Sequence, residues 1–509
     1  MSSQKIMMIA AMAAYLIFMV VVGAVLSKRN KNSGDFYLGG RQLGPFVTAM
    51  SAEASDMSGW LLMGLPGVAY LSGIAEAFWT ALGLAVGTYI NWLLVARPLR
   101  RYSERINAIT IPEFFNNRFK DKTKLLMAIS SIIIIIFFIP YTASGFNACG
   151  TLFSTLFGVD YFTAMIISAA VILIYTMLGG FFAASVTDFI QSIIMTVALI
   201  IVLFFGISKA GGAAAVIENG KSLVSYFNFT TTHDAATGGS TGFGFLTIVS
   251  TLAWGLGYFG MPHILLRFMA IKDVKKLKTS RRIATVWVVI SMGVAIIIGI
   301  VARAMSANGS IEMLNSDTAQ RAIIKIAELL SQNNLLLAIV AGLILSGILA
   351  STMSTADSQM LAASSSISQD LMQGVFGIKL KDKASMLVAR LTLVVVAVIA
   401  VIWAREEGSV FTIVSFAWAG FGAAFGPVML FSLFWKRTNA WGALAGMISG
   451  GAMIFIWKYL IRPLGGAWDI YELLPAFLVA CIFIVVVSLA TPAPDKEIVE
   501  DFEAIRSKK

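Results

Sequence analysis

Oxygen-bearing side chains crowd one short stretch of an otherwise apolar sequence, at residues 51–59. The stretch reads Ser-Ala-Glu-Ala-Ser-Asp-Met-Ser-Gly, and Gly64, Pro66 and Gly67 follow it. Inside a membrane, a helix broken by glycine and small polar residues leaves backbone carbonyl oxygens free, and transporters with discontinuous helices coordinate sodium ions with such oxygens. The pattern therefore predicts a cation site at a helix break. A simple kink packed by small residues is the alternative interpretation.

A second group of oxygens lies in residues 347–358, Gly-Ile-Leu-Ala-Ser-Thr-Met-Ser-Thr-Ala-Asp-Ser. Ser351, Ser354, Asp357 and Ser358 recur at steps of three and four residues, so their oxygens share one face of a helix. Hydroxyls combined with carbonyls suit a singly charged hard cation. The stripe is therefore predicted to contribute to cation binding, although serines also hold membrane helices together.

Asp188, within Ser-Val-Thr-Asp-Phe-Ile-Gln at residues 185–191, is a further carboxylate in an apolar run. Two carboxylates at membrane depth do not both stay ionised without a positive partner. We therefore expect either that Asp188 and Asp357, with Ser354 and Ser358, hold a second Na⁺, or that one of the two aspartates is protonated. Capping of a helix that starts after the Gly-Gly pair at 179–180 is the alternative for Asp188.

Aromatic and glycine residues mark a second broken helix at 254–263, Trp-Gly-Leu-Gly-Tyr-Phe-Gly-Met-Pro-His. Trp254 and Tyr258 are four residues apart and so stack on one face, while the glycines loosen the helix ahead of Pro262. An aromatic wall of this kind suits substrate contact, although aromatic pairs also occur in ordinary cores. His263 is expected to be a hydrogen-bonded packing residue rather than a proton relay.

Composition excludes a soluble enzyme. The chain has 509 residues, of which 58% are hydrophobic and 13% charged, whereas soluble domains average about 25% charged; its mean hydropathy is +0.83. No nucleotide-binding loop, histidine cluster or nucleophile–base pair stands out. Cys149 and Cys481 lie in or beside apolar segments, so neither a disulfide framework nor a metal site is expected.

Apolar windows predict an all-α polytopic membrane protein. The thirteen predicted spans lie near 6–26, 46–70, 74–96, 125–148, 160–178, 183–207, 243–271, 283–304, 335–370, 385–404, 410–434, 440–460 and 473–491. Residues 1–491 would form one transporter domain, followed by a short solvated tail at 492–509. The long connections 209–242 and 305–334 are predicted to be either lids or solvated connectors.

Lysine and arginine determine the predicted orientation. They concentrate in alternate connections, at 28–41, 97–124, 272–282, 379–383 and 436–437, and in the tail. Because basic loops stay on the cytoplasmic side, the odd number of spans places the N-terminus outside and the C-terminus inside the cell membrane. The net charge of +11 is thus explained by the bilayer, and no nucleic acid or obligate protein partner is expected.

The two predicted breaks fall in spans two and seven, five helices apart. Paired interrupted segments in corresponding halves indicate an inverted-repeat secondary transporter with its site between them. We therefore expect five-helix repeats at about 46–207 and 243–434. The helices at 6–26, 440–460 and 473–491 would be peripheral.

These segments resemble the sodium:solute symporter family, over nearly the whole chain, and within it the bacterial sodium/proline branch. The most specific matches are Gly-Arg-Gln-Leu-Gly-Pro at 40–45, the long motif at 55–67, Trp-Gly-Leu-Gly-Tyr at 254–258 with Pro-His at 262–263, and Met-Ser-Thr at 353–355. The resemblance implies a LeuT-like fold in which one Na⁺ drives uptake of one L-proline by alternating access.

The resemblance also implies residue roles. The sodium ion would be held by Ala54, Met57, Ser351, Ser354 and Thr355. Asp56 would be essential for sodium coupling, to which Asp188, Asp357 and Ser358 would add a second set. Substrate contacts would fall on Ser58, Gly59, Trp60, Tyr141, Trp254, Tyr258 and Pro262. Arg41 and Glu76 would act in gating or coupling.

Three positions depart from the pattern of the proline branch. Glu53 stands where a small residue is expected, Met261 where a glutamine is expected, and Asp357 where a hydroxyl is expected. Asp357 with Asp188 resembles a second sodium site of sialic-acid members. A carrier for another small carboxylate, a sugar or a vitamin therefore remains an alternative, as do, from other classes, a membrane sensor and a channel.

Overall fold

A computed structural model describes residues 2–29 and 31–507. Within them the chain forms twenty α-helices and one two-stranded antiparallel sheet. The helices of the first half are α1 Ser3–Leu26, α2 Ser33–Leu38, α3 Pro45–Asp56, α4 Leu65–Ser72, α5 Ile74–Leu94, α6 Ala96–Arg105, α7 Ile111–Phe119, α8 Leu125–Phe157, α9 Tyr161–Lys209 and α10 Ala213–Ser222. Those of the second half are α11 Phe245–Leu252, α12 Pro262–Ala270, α13 Leu277–Ala307, α14 Ala322–Ser331, α15 Leu335–Ser365, α16 Asp382–Trp403, α17 Val410–Phe434, α18 Ala440–Ile456, α19 Leu473–Ala490 and α20 Lys496–Ser507. The strands are β1 Thr231–His233 and β2 Ser240–Gly242.

Ten helices of the described residues are long and apolar enough to cross a membrane, and a bent pair makes an eleventh. The predicted count of thirteen is therefore not reached by length and composition. The predicted spans 160–178 and 183–207 are the two parts of α9, which a kink separates. Gly180 interrupts it with φ 63° and ψ −173°, a conformation that glycine adopts without steric penalty.

The structure confirms both predicted helix breaks. In the first, α3 ends at Asp56, and a π-helical turn, Trp60–Gly64, leads into α4. In the second, a 3₁₀ segment, Ala253–Phe259, follows α11, and α12 starts at Pro262 after a bend of 45°. Proline fits the first turn of a helix because that turn needs no hydrogen bond from its nitrogen. Both breaks thus follow from local sequence chemistry.

Helix α15 is the buried axis of the molecule. It packs against α1, α3, α8 and α9, and its residues from Ile344 to Ser365 are all buried. Small residues permit the close approach: a Cβ on Gly347 would lie 2.8 Å from the Cβ of Ala198. Interfaces of this kind are typical of membrane helices, where small side chains bring backbones together. The serine stripe is therefore held inside the bundle.

The two long connections are folded against helix ends. In 209–242, which contains α10 and the β1–β2 hairpin, the buried Tyr226 donates its hydroxyl to the Ala69 carbonyl oxygen at 2.8 Å, and its own carbonyl accepts from the Ile74 N–H at 2.9 Å. In 305–334, α14 packs against α4 and α15. Both segments therefore pack in part against the helices rather than being fully solvated connectors.

The tail differs from the predicted solvated extension. Its residues 496–507 form α20, which lies against α6, and Phe502 is only 2% exposed. Asp501 pairs with Arg105 at 2.8 Å and Glu497 pairs with Lys120 at 2.7 Å. Apolar residues four apart, such as Ile498 and Phe502, give this short helix a face to bury. The last two residues of the predicted tail lie outside the described residues.

Candidate functional site

The end of α3 frees a backbone oxygen that α15 then meets. The Ser58 N–H donates to the Asp56 carbonyl and therefore does not bond the Ala54 carbonyl four residues earlier. The Ser354 hydroxyl donates to that Ala54 oxygen at 2.7 Å. A serine of one helix thus caps the broken end of another, at a point where both residues are fully buried.

Four of the five predicted sodium ligands meet here. The Ser351 carbonyl oxygen accepts from the Ser354 hydroxyl at 3.2 Å and from the Thr355 hydroxyl at 3.1 Å. Together with Ala54 they form a cluster of oxygens, the ligand type that a hard cation prefers. Met57 stands at the break itself, where its ψ of 68° turns its peptide out of the helix. The donor set therefore fits a singly charged ion.

Asp56 connects the two broken helices. Its Oδ2 accepts a hydrogen bond from the Tyr258 hydroxyl at 2.5 Å. Its backbone carbonyl accepts from the Trp60 indole N–H at 3.2 Å and from the Tyr141 hydroxyl at 3.5 Å. Asp56 is fully buried, and none of the described Lys, Arg or His side chains forms an ion pair with it. Its carboxylate is thus held by a neutral donor only.

The predicted aromatic wall is present and larger than predicted. The ring of Trp254 lies 6.4 Å from that of Trp60 and stacks on Tyr471 at 5.1 Å. Trp418 donates its indole N–H to the Trp254 carbonyl at 2.7 Å and meets the Tyr258 ring edge to face at 5.0 Å. Trp418 and Tyr471 were not predicted, because they lie far along the chain and no spacing relates them to Trp254.

The other predicted substrate residues border this wall. Gly59 lies against α8 and α15, where a Cβ would approach the Ala148 Cβ to 3.0 Å. Pro262 starts α12, and Ser58 is 2% exposed at the first break. His263 is fully buried, with its ring 5.6 Å from that of Phe138. This environment fits a packing role, but neither ring nitrogen of His263 has an aligned hydrogen-bond partner among the described residues, which differs from the hydrogen-bonded packing residue expected.

Arg267 is the main residue that sequence reasoning missed. Its Nη2 lies 3.0 Å from Asp188 Oδ2 and 2.5 Å from the Ser358 hydroxyl, and its Nε donates to the Ser51 hydroxyl at 3.0 Å. Both charged side chains are at most 1% exposed. A guanidinium is therefore the positive partner of Asp188, in the network where the sequence suggested a second sodium ion or a protonated aspartate. The signal was an arginine inside the apolar run 262–271, one helical turn after His263.

Asp357 belongs to the same network. Its Oδ2 accepts from the Tyr175 hydroxyl at 2.7 Å and its Oδ1 from the Ser358 hydroxyl at 3.0 Å. Ser358 in turn accepts from Arg267. Arg267, Asp188 and Asp357 thus belong to one network. In it, the single positive charge of Arg267 stands near two carboxyl groups.

Arg41 ties two helix ends at one side of the molecule. Its guanidinium donates to the carbonyl oxygens of Met269 at 2.7 Å, Ser103 at 3.1 Å and Ala108 at 2.6 Å. Burial lowers the pKa of Arg41 to about 10, which still leaves it positively charged at neutral pH. Glu76 lies elsewhere, in the first turn of α5, within electrostatic reach of Arg462. These two predicted gating residues are therefore not brought together.

Comparison with known sequences finds one matching family and several relatives named as proline transporters or sodium/proline symporters. The model of the sodium:solute symporter family matches residues 36–450. A sodium/proline symporter of Haemophilus influenzae is 44% identical over 495 residues, which cover 96% of this chain and 95% of that protein. An osmoregulated proline transporter of Bacillus subtilis is 41% identical over 494 residues, covering 97% and 96% of the two chains. The Escherichia coli sodium/proline symporter is 41% identical, with 96% and 94% covered.

Comparison with solved structures confirms the predicted LeuT-like, all-helical fold. A Na⁺-coupled sialic acid symporter in a substrate-bound outward-open state aligns with a TM-score of 0.79 at 17% identity, over 96% of this chain and 99% of that one. MhsT in complex with L-phenylalanine aligns with a TM-score of 0.55 at 14% identity, over 88% and 99%. At such identities the similarity concerns the fold alone.

Proposed function

The chain belongs to the sodium:solute symporter family, and we propose that it couples inward Na⁺ flow to uptake of L-proline by alternating access. It is a multi-span membrane protein of a transporter family, so the proposed activity is transport and not catalysis. Relatives named as proline transporters are 41–44% identical over nearly their whole length. The observation that carries the proposal is the contact between the Ser354 hydroxyl and the freed Ala54 carbonyl at the first break.

In this proposal, Na⁺ binds among the oxygens of Ala54, Met57, Ser351, Ser354 and Thr355. The Ser354 hydroxyl then turns its lone pairs toward the ion instead of donating to Ala54. Because this hydroxyl and the carbonyl belong to α15 and α3, the ion stabilises one relative position of the two helices. Sodium binding is thereby linked to the shape of the neighbouring substrate site.

We propose that proline binds between the break and the aromatic wall. Trp60, Trp254, Tyr258 and Tyr141 would cover the pyrrolidine ring, and backbone groups freed near Ser58 and Gly59 would meet the carboxylate, with Pro262 bordering the site. Most of this lining is apolar, which suits a small ring. Asp56 would link the two ligands, because it follows the sodium site by two residues and accepts the Tyr258 hydroxyl.

The network of Arg267 would pass the sodium signal to α12. Its members come from α3, α9, α12 and α15 through Ser51, Asp188, Arg267 and Ser358. Asp357 extends the network to Tyr175. A shift of α15 upon sodium binding would therefore change the contacts of Arg267, one turn beyond the second break.

Orientation follows from the basic connections, which we place on the cytoplasmic side with the N-terminus outside and the C-terminus inside the cell membrane. The Arg41 contacts to Met269 and Ala108 would then close the cytoplasmic side. Glu76, near Arg462, would act at the outer side. Residues 46–207 and 243–434 would form the inverted repeats, each opening on a broken helix.

The free energy from one Na⁺ per cycle is sufficient to accumulate proline. A tenfold Na⁺ gradient supplies about 1.4 kcal/mol, and a 100 mV potential adds about 2.3 kcal/mol per charge. The sum of about 3.7 kcal/mol supports a proline accumulation ratio of roughly 500. Zwitterionic proline carries no net charge, so only the ion senses the potential.

A symporter of another small solute is the second candidate, favoured by Met261 next to Pro262 in the substrate region. Uptake of radiolabelled solutes into proteoliposomes, with imposed gradients of Na⁺, H⁺ or K⁺, tests both. The proposal predicts that an inward Na⁺ gradient, and not an equal K⁺ gradient, drives accumulation of L-proline. Na⁺-driven uptake of a different solute without proline uptake would favour the second candidate.

A further inference from the structure

Glu53 is a buried carboxylate that the proposed mechanism does not use. It lies on α3, three residues before Asp56 and therefore on the same face of the helix, and it is 1% exposed. Its Oε1 accepts from the Trp92 indole N–H at 2.9 Å. Its Oε2 has no hydrogen-bond partner among the described residues, and neither has Asp56 Oδ1.

Two further buried polar residues lie on α5, next to Tyr258. Thr88 and Asn91 stand on the turn before Trp92, and each is at most 1% exposed. Neither the Thr88 hydroxyl nor the Asn91 Oδ1 has an aligned hydrogen-bond partner in the described part of the chain. Buried polar atoms are nearly always satisfied in folded proteins, so several orphans in one place indicate a missing ligand.

Tyr258 joins the two sides of the cluster. Its hydroxyl donates to Asp56 Oδ2, lies beside the Thr88 hydroxyl and is within electrostatic reach of Glu53. Its carbonyl accepts from the Asn91 amide at 3.0 Å. Tyr258 therefore contacts or approaches each residue that carries one of the four unpartnered oxygens, between α3, α5 and the second break.

The unpartnered atoms are all potential acceptors, and the donors already in place are neutral. Among residues 2–29 and 31–507, no Lys, Arg or His pairs with Glu53 or Asp56. Isolated buried carboxylates are strongly destabilising unless a cation neutralises them. A cation bound here would neutralise the pair and satisfy these oxygens.

We propose that Glu53, Asp56, Thr88 and Asn91 form a second Na⁺ site, separate from the one at Ala54 and Ser354. This proposal rests on the sodium-driven function proposed above. Four oxygens suit a singly charged ion better than Ca²⁺, which takes six to eight. No group of three or more His, Cys, Asp or Glu that would hold a metal occurs in the described residues, which also disfavours a divalent ion.

Counting bound sodium tests the proposal. Equilibrium binding of radioactive Na⁺ to the purified full-length chain, without proline, should give two ions per chain for the wild type and one for Glu53→Gln. The amide oxygen of glutamine still accepts from Trp92, and its NH₂ group satisfies the neighbouring acceptors, so the variant should fold. Ser354→Ala with Thr355→Ala should lose the other ion and keep this one.

Thr88→Val provides a milder variant with a matched control. It should weaken binding of one of the two ions at least tenfold. Thr80→Val should leave both ions unchanged, since Thr80 is also buried on α5 with an unpartnered hydroxyl but lies eight residues, or about 12 Å, away. One ion per wild-type chain, or two in Glu53→Gln, overturns the second site and leaves the first intact. Absence of sodium binding altogether overturns the proposed function instead.

Discussion

Two pairs of buried carboxylates, one on α3 and one shared by α9 and α15, differ in the side chains beside them. Asp188 and Asp357 share Arg267, whose guanidinium is 3.0 Å from Asp188. Glu53 and Asp56 have only the Trp92 indole and the Tyr258 phenol as side-chain donors. The protein thus provides its own cation for one pair. We therefore propose that the other pair, on the helix that carries the freed Ala54 carbonyl, binds mobile ions.

The largest expected effect comes from the pair without its own cation. Asp56→Ala should reduce Na⁺-driven proline uptake at least a hundredfold, because it removes the carboxylate that links the sodium site to Tyr258. Initial uptake rates in proteoliposomes, normalised to inserted protein, measure this effect. Near wild-type rates with an unchanged Na⁺ dependence would show that Asp56 has no role in transport.

For Asp188 and Asp357, the pair beside Arg267, the main expected effect is on the stability of the fold. Arg267→Met leaves two buried carboxylates without a positive charge, so it should destabilise the fold by about 3–5 kcal/mol. Thermal unfolding of the purified protein measures the loss, with Arg303→Met as a control at a partly exposed position over the Tyr70 ring. Adding Asp188→Asn should recover much of the loss, and the absence of any recovery would contradict the ion pair.

A smaller effect should appear at the proposed sodium ligands. Ser354→Ala with Thr355→Ala should raise the Na⁺ concentration for half-maximal uptake at least tenfold, while maximal proline binding changes much less. Ser365→Ala is the matched control, since this buried serine of α15 bonds only the Ala362 carbonyl of its own helix, at 2.8 Å. An identical Na⁺ titration in the double variant and the control would reduce the stripe to helix packing.

The smallest expected effect is a change in substrate binding without a change in ion binding. Trp254→Ala should weaken proline binding roughly tenfold and leave Na⁺ binding unchanged, because Trp254 contacts rings and no sodium ligand. Trp435→Ala, which removes a tryptophan packed on Phe431, serves as the control. Tyr258 is less suited to this test, since its hydroxyl also binds Asp56. Unaltered proline affinity in Trp254→Ala would move the substrate site elsewhere.

Much of the fold and part of the site followed from local sequence. Glycine, proline and small polar residues predicted both breaks, because these residues act within one helical turn. The stripe on α15 was predicted from its spacing, and the structure adds its contact with Ala54. Contacts between residues far apart in the sequence were not predictable, because they depend on how distant helices pack. Examples are the contacts of Arg267 with Asp188, of Tyr471 with Trp254, and of Trp92 with Glu53. The break in α9 was predictable because it falls at the Gly-Gly pair at 179–180, where Gly180 has a non-helical backbone conformation.

Measuring sodium binding in two single variants shows which of the two carboxylate pairs binds Na⁺. Radioactive Na⁺ bound per purified chain would be measured without proline in wild type, Asp357→Ser and Asp56→Ala. Because Asp188 and Asp357 already have Arg267 beside them, Asp357→Ser should bind as many ions as the wild type, whereas Asp56→Ala should bind fewer. Loss of an ion in Asp357→Ser, with the full number kept in Asp56→Ala, would contradict the account.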